Sequence, residues 1–325
     1  MPTQILTGVG AGLASALLFT VVISGSPAAL LLSYLAPLPV FLVTLGWRHV
    51  TGLIAAATGM ATCAVAFRAS GGALTGLTYG VGVALPAWWL GYLALLGRPG
   101  AHGSTEWYPS GRLLFWLAGV AAFVTLLGVF SIGGSLAAYE RTMSEALSAM
   151  LRAGSGNGAP ALPEGMDEAA FVATVVKAAP LLVAASFVPM QALNLWLAAR
   201  IVAASGRLAR PWPELAAARM PFAALGVFAV AFALATLAGG VAGVAGAALT
   251  GSFGAAYALQ CLGALHAALR GKTARPFVLA TLYALMIPFF VWIVPALAVG
   301  GVLETITRAF RRNGAGAPPP PANDA

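Results

Sequence analysis

The chain has 325 residues, 60% of them hydrophobic and 8% charged, where an ordinary soluble protein has about 25% charged. That leaves too little polar surface for a water-soluble domain, and apolar runs of eighteen or more residues recur along almost the whole chain. The sequence therefore predicts an all-α, polytopic transmembrane helical bundle of about eight or nine spans, with the lipid bilayer as its solvent. The net charge of +8 lies mostly in short loops between apolar runs, where it orients the chain in a membrane, so nucleic acid is excluded as a partner.

The first span, about Ile5–Ser24, lacks the basic start of a secretory signal and reads as retained. It carries a stripe of small residues, Gly8, Gly12 and Ala16, that lets another helix approach closely. The second, Ala28–Trp47, is interrupted by Pro37 and Pro39, which free backbone carbonyls that a neighbour must satisfy. It either kinks or enters and turns back. The third is about Val50–Phe67. The fourth, Gly72–Leu96, repeats the small-residue stripe at Gly72, Gly76, Gly80 and Ala84 and ends in an aromatic belt of Trp88, Trp89 and Tyr92. A loop with Arg98, His102, Glu106 and Arg112 leads to the fifth, Leu113–Gly133.

From Ser135 to Arg152 apolar residues recur at three and four among Glu140, Arg141, Glu145 and Arg152, the pattern of an amphipathic helix lying on a surface. This extramembrane segment with its Gly-rich linker occupies about residues 134–170. Asp167 then caps a long sixth span that contains Pro180 and Pro189, both expected to kink it, and that ends near Arg200. Met220–Leu237, Ala247–Leu269 and Pro276–Val302 complete the count. Residues 1–312 read as one transmembrane domain, and 313–325 as a disordered tail.

The links after spans two, four, six and eight hold ten of the seventeen basic residues, which makes that side cytoplasmic. A nine-crossing count puts Arg308, Arg311 and Arg312 opposite, against their charge. The last run is roughly 40 Å of helix, more than one crossing and less than two, so a re-entrant ending competes with a single crossing.

For chemistry, the nine acidic residues fall in loops, caps or the tail, which disfavours an ion-driven carrier. Arg270-Gly271-Lys272-Thr273 lacks the earlier glycine of a phosphate-binding loop, since that position is His266. Ser252 and His266 are too far apart on one helix to act as nucleophile and base. Cys63 and Cys261 form no metal-ligand spacing. No catalytic residue, cofactor or metal is expected, and the chain is not read as an enzyme. What remains is two polar pairs in apolar helices: Gln191 with Asn194 on the sixth span, and Tyr257 with Gln260 on the eighth. Each pair shares a helix face. They either bond neighbouring helices or line a pocket for a small-molecule solute. In the second case Asn194 and Gln260, brought close by antiparallel packing and about 6 Å apart in depth, form one site.

Several stretches resemble the YybS-like family of predicted bacterial membrane proteins, a domain of unknown function. They are Tyr34-Leu35-Ala36-Pro37-Leu38-Pro39, Asn194-Leu195-Trp196-Leu197 with Arg200, Arg210-Pro211-Trp212-Pro213, Leu259-Gln260-Cys261-Leu262 with His266, and Gly300-Gly301-Val302-Leu303-Glu304 with Arg311-Arg312. The family's Gln-Gly is Gln260-Cys261 here, and its late glycine-leucine-aspartate is altered to Leu303-Glu304. That family is distantly similar to the substrate-binding (S) components of energy-coupling-factor importers. The resemblance implies a small-solute binder of the bacterial inner membrane that docks onto an energy-coupling membrane partner driven by separate ATPases, with Gly8, Gly12 and Ala16 as a docking face. The alternative is a non-transporting scaffold or assembly factor in envelope biogenesis, with the amphipathic segment as its contact surface.

Overall fold

A computed structural model describes residues 2–100, 103–154, 167–211 and 218–314. The apolar runs fold as helices: α1 (Pro2–Thr20), α2 (Pro27–Ser33), α3 (Leu38–Gly46), α4 (His49–Ala66), α5 (Gly72–Tyr79), α6 (Leu85–Ala94) and α7 (Ser110–Ser131). Then come α8 (Leu136–Gly154), α9 (Glu168–Ala204), α10 (Ala223–Leu237), α11 (Gly240–Ala268) and α12 (Arg275–Gly314). A short hairpin of β1 (Gly97–Pro99) and β2 (Thr105–Trp107) stands where the sequence reads as loop. Its Arg98–Glu106 ion pair, 2.7 Å long, is solvent-exposed and adds little stability.

Among the described residues, eight segments are long and apolar enough to cross a membrane, the second combining α2 with α3 and the fourth α5 with α6. The chain is an all-α, multi-pass bundle. The expected seventh span is shorter than its apolar run. α10 has 15 residues, about 22 Å of helix, against a hydrocarbon core of about 30 Å.

The two glycine stripes both pack against α4. Gly8 meets Ile54 and the carbonyl of Thr51, and a methyl group added at Gly12 would overlap the Ala55 carbonyl. The face expected to dock a partner is thus already covered from within the chain. On α5, Gly76 faces the Met60 carbonyl at 2.8 Å and the Ala64 methyl at 3.0 Å from where its own Cβ would stand. Gly76→Leu is therefore expected to push α4 and α5 apart and cost about 1–3 kcal/mol as overpacking. A thermal melt of the detergent-solubilised variant that matches the parent would show that the two helices do not need this contact.

Between α5 and α6 the helix widens into one π turn, Gly80–Ala84, closed by Leu85 N–H to the Gly80 carbonyl. Pro86, one residue later, has no N–H to continue the regular ladder.

α8 is the expected amphipathic helix. Its Leu136, Tyr139, Met143 and Leu147 pack onto Val129, Phe171, Val172 and Val176. The Tyr139 hydroxyl donates to the Val176 carbonyl at 3.3 Å. Burial pushes the Tyr139 phenol above its ordinary range, and the Glu140 charge adds to the effect. Asp167 caps α9 as expected, its carboxylate accepting from the N–H groups of Ala169 and Ala170, both at 3.2 Å. α9 runs for 37 residues through Pro180 and Pro189 without interruption. The linker before Asp167 and the tail after Gly314 lie outside the described residues.

α12 contains one non-helical residue, Phe289, just after Pro288. Its far end returns to the basic side of the bundle, where Arg308 lines one hollow together with Arg112 and Arg219. Arg308, which a nine-crossing count would place opposite, therefore shares the face of the basic loops. On that face Arg207 lies over the Trp47 ring, 4.6 Å from its centre. Arg210 donates to the Ala94 carbonyl at the end of α6, at 3.1 Å, and burial lowers its pKa from the ordinary value.

Candidate functional site

Pro37 and Pro39 each lack an N–H, so the segment between α2 and α3 cannot continue an α ladder. It closes instead with tighter i→i+3 bonds, from Ala36 N–H to the Ser33 carbonyl and from Leu38 N–H to the Leu35 carbonyl, at 3.1 and 3.0 Å. This leaves the carbonyls of Tyr34 and Ala36 for side chains. Asn194 Nδ2 donates to the Tyr34 carbonyl at 2.8 Å and to its own Met190 carbonyl at 2.9 Å. The Ser15 hydroxyl donates to the Ala36 carbonyl and accepts from the Tyr79 hydroxyl, the latter at 2.7 Å. The proline break is thus held by three side chains from α1, α5 and α9. Unwound backbone inside a membrane bundle is tolerated where such partners cover it or where it lines a cavity.

Along α9 the residues Val188, Gln191, Asn194, Ala198 and Val202 are all buried, at the three- and four-residue spacing of one helix face. Val202 reaches Gly46 of α3, so this face is turned toward the broken second span. Gln191 is fully buried, and neither its Nε2 nor its Oε1 has a hydrogen-bond partner; Asn194 Oδ1 has none either. An unpaired buried amide costs about 1–3 kcal/mol by protein measurements, so three such atoms beside unwound backbone mark a place suited to an external donor and acceptor.

Gln260 is built differently. Its Oε1 accepts from the Met220 N–H at 2.8 Å. Its Nε2 lies within bonding distance of the Gly301 carbonyl (3.2 Å), Glu304 Oε2 (2.7 Å) and Thr305 Oγ1 (2.9 Å). Glu304 Oε1 stands 3.7 Å from Arg219. This node ties α11 to α12 and to the segment entering α10, and no bond of Gln260 is left open. Tyr257, one turn earlier, is buried with its ring 5.6 Å from that of Phe228, edge to face, and its hydroxyl has no partner. Gly301 passes directly over its backbone.

The four predicted residues are therefore all inside, in two settings. Gln191 and Asn194 face the broken span, whereas Gln260 faces α12, and Asn194 and Gln260 share no hydrogen-bond partner. The helices that carry them run parallel, not antiparallel. Lys177 and Ala247 wall the same hollows, and one turn further on in each helix Leu181 meets Gly251. That register sets Gln260 level with Met190 and separates it from Asn194 by about 6 Å in depth.

Sequence reasoning gave no site role to Ser15, Tyr79, Arg219, Glu304 or Thr305. Glu304, expected with the other acidic residues in a loop, a cap or the tail, sits inside α12, one helical turn before Arg308. The signal available was that four-residue spacing of opposite charges directly after Gly300-Gly301, which permits close helix packing.

No curated protein and no solved structure matches the chain. One family model does, over residues 13–300, and it is described as a predicted membrane protein, DUF2232. That span takes in the broken second segment, the Gln191–Asn194 face and Gln260, so the chain belongs to this family of predicted membrane proteins.

Proposed function

We propose that the protein binds a small polar solute inside its bundle, beside the unwound segment 34–37, in the bacterial inner membrane. The observation that carries this reading is Gln191, fully buried with both amide atoms unpaired. A solute offering one hydrogen-bond acceptor and one donor would satisfy it, and Asn194 Oδ1 would take a second donor. In this reading the chain performs no bond chemistry. Its resemblance to the YybS-like family, and through it to S components of energy-coupling-factor importers, supports import powered by a separate membrane partner with its own ATPases. The scaffold alternative is weakened by α8, whose apolar side is spent on α9 and so is not free as a contact surface.

Native purification followed by mass spectrometry is expected to find a small molecule bound to the protein, together with ATPase or transmembrane subunits. A preparation that carries neither would favour the scaffold. The same reading places the loops around Arg98–Arg112 and Arg200–Arg219 in the cytoplasm. Cysteine labelling from outside whole cells should modify a probe at position 155 and spare one at position 205. The reverse pattern would overturn the orientation.

A further inference from the structure

A second feature lies at the opposite end of α9 from Asn194. Where α8 crosses α9 and the α10–α11 hairpin, a cleft of about 480 Å³ opens, with Glu140 and Ser144 of α8 on one wall and Lys177 of α9 on another. The rest of its wall is small and apolar, including Ala235, Gly243 and Ala247. A second hollow of about 480 Å³ shares Lys177, Ala235 and Ala247 with the first and continues along α9 and α10 past Leu181 and Phe232. The two are one groove, polar at the end under α8 and apolar below. Phe232 and Leu237 are exposed on the surface of α10 beside it, and α10 is too short to span the hydrocarbon fully.

The charges at the polar end are complementary to one class of molecule. No ion pair joins Glu140 to Lys177, so each can meet an opposite charge on a ligand. Thr250 lines the apolar part, and its hydroxyl finds no hydrogen-bond partner. It stands three residues from Ala247, about 4.5 Å further along the helix, close to the depth at which a glycerolipid carries its ester carbonyls below its phosphate.

We infer that this groove holds one zwitterionic glycerophospholipid of the phosphatidylethanolamine type. Its phosphate lies toward Lys177, its ammonium toward Glu140, and one acyl chain lies between α9 and α10. The bilayer supplies the lipid from the side, and α8 covers its headgroup. This inference stands apart from the solute site at Gln191, which lies about four turns beyond Lys177 along α9.

The test uses delipidated full-length protein titrated with phosphatidylethanolamine or phosphatidylglycerol and read by native mass spectrometry. The parent is expected to retain phosphatidylethanolamine about fivefold better, the size of effect one partly exposed ion pair supplies. Glu140→Gln should erase that preference while lipid binding persists. Lys177→Gln should weaken both lipids, and Ala235→Phe should block the groove for both. Equal retention of the two lipids by the parent, or an unchanged preference in Glu140→Gln, overturns the inference. So does binding of free phosphoethanolamine as tight as that of the whole lipid, which would make the cleft a site for a soluble zwitterion. If Ala235→Phe fails to fold, the headgroup comparison in the parent and the two charge variants still decides the matter.

Discussion

Replacing Gln260 by leucine is expected to destabilise the protein by about 2–5 kcal/mol, the largest loss among the four buried polar residues. Leucine fills a similar volume, so the cost comes from what it leaves behind. The Met220 N–H loses its acceptor, and Glu304 and Thr305 lose the amide that joins them to α11. Each buried group left without a partner costs about 1–3 kcal/mol, more when it is charged. Asn194→Leu forfeits one interhelical bond, to the Tyr34 carbonyl, and bonds of that kind inside membranes are worth about 0.6–2 kcal/mol. Denaturation in detergent micelles, followed by circular dichroism, ranks the two variants. If Gln260→Leu unfolds at the same point as the parent, the node does not hold α12 to the bundle.

Gln191→Leu carries the opposite sign. Its amide makes no hydrogen bond in the structure, so removing it should stabilise the ligand-free protein by about 1–3 kcal/mol. The same change should abolish retention of any co-purified solute. The two readouts together separate a binding site from structural glue. A variant that melts lower than the parent shows that Gln191 has a structural partner. One that melts higher yet keeps its solute shows that the solute lies elsewhere. Gln191→Glu sharpens the comparison, because a carboxylate at the same position offers acceptors alone when ionised and is itself costly to bury.

Much of this architecture can be read locally. Composition places the chain in a bilayer, the three-and-four spacing at Leu136, Tyr139, Met143 and Leu147 makes α8 amphipathic, and Asp167 caps α9 because its short carboxylate reaches the N–H groups of the next turn. Pro37 and Pro39 break the second span through a missing N–H, which is a property of the residues themselves. The glycine stripe at Gly72, Gly76 and Gly80 announces a close helix contact, though not which helix makes it.

The choice of partner belongs to the tertiary structure. Gln191, Asn194 and Gln260 have the same chemistry in sequence. Yet Asn194 meets the carbonyl freed by Pro37 and Pro39, Gln260 is saturated by α12, and Gln191 is left unpaired. The return of α12 to the basic face is likewise absent from any local pattern. The physical reason is the range of the forces involved. Backbone chemistry and side-chain periodicity act over one or two turns, whereas the fate of a buried amide depends on how each helix is rotated and shifted against neighbours more than a hundred residues away, such as Tyr34 for Asn194.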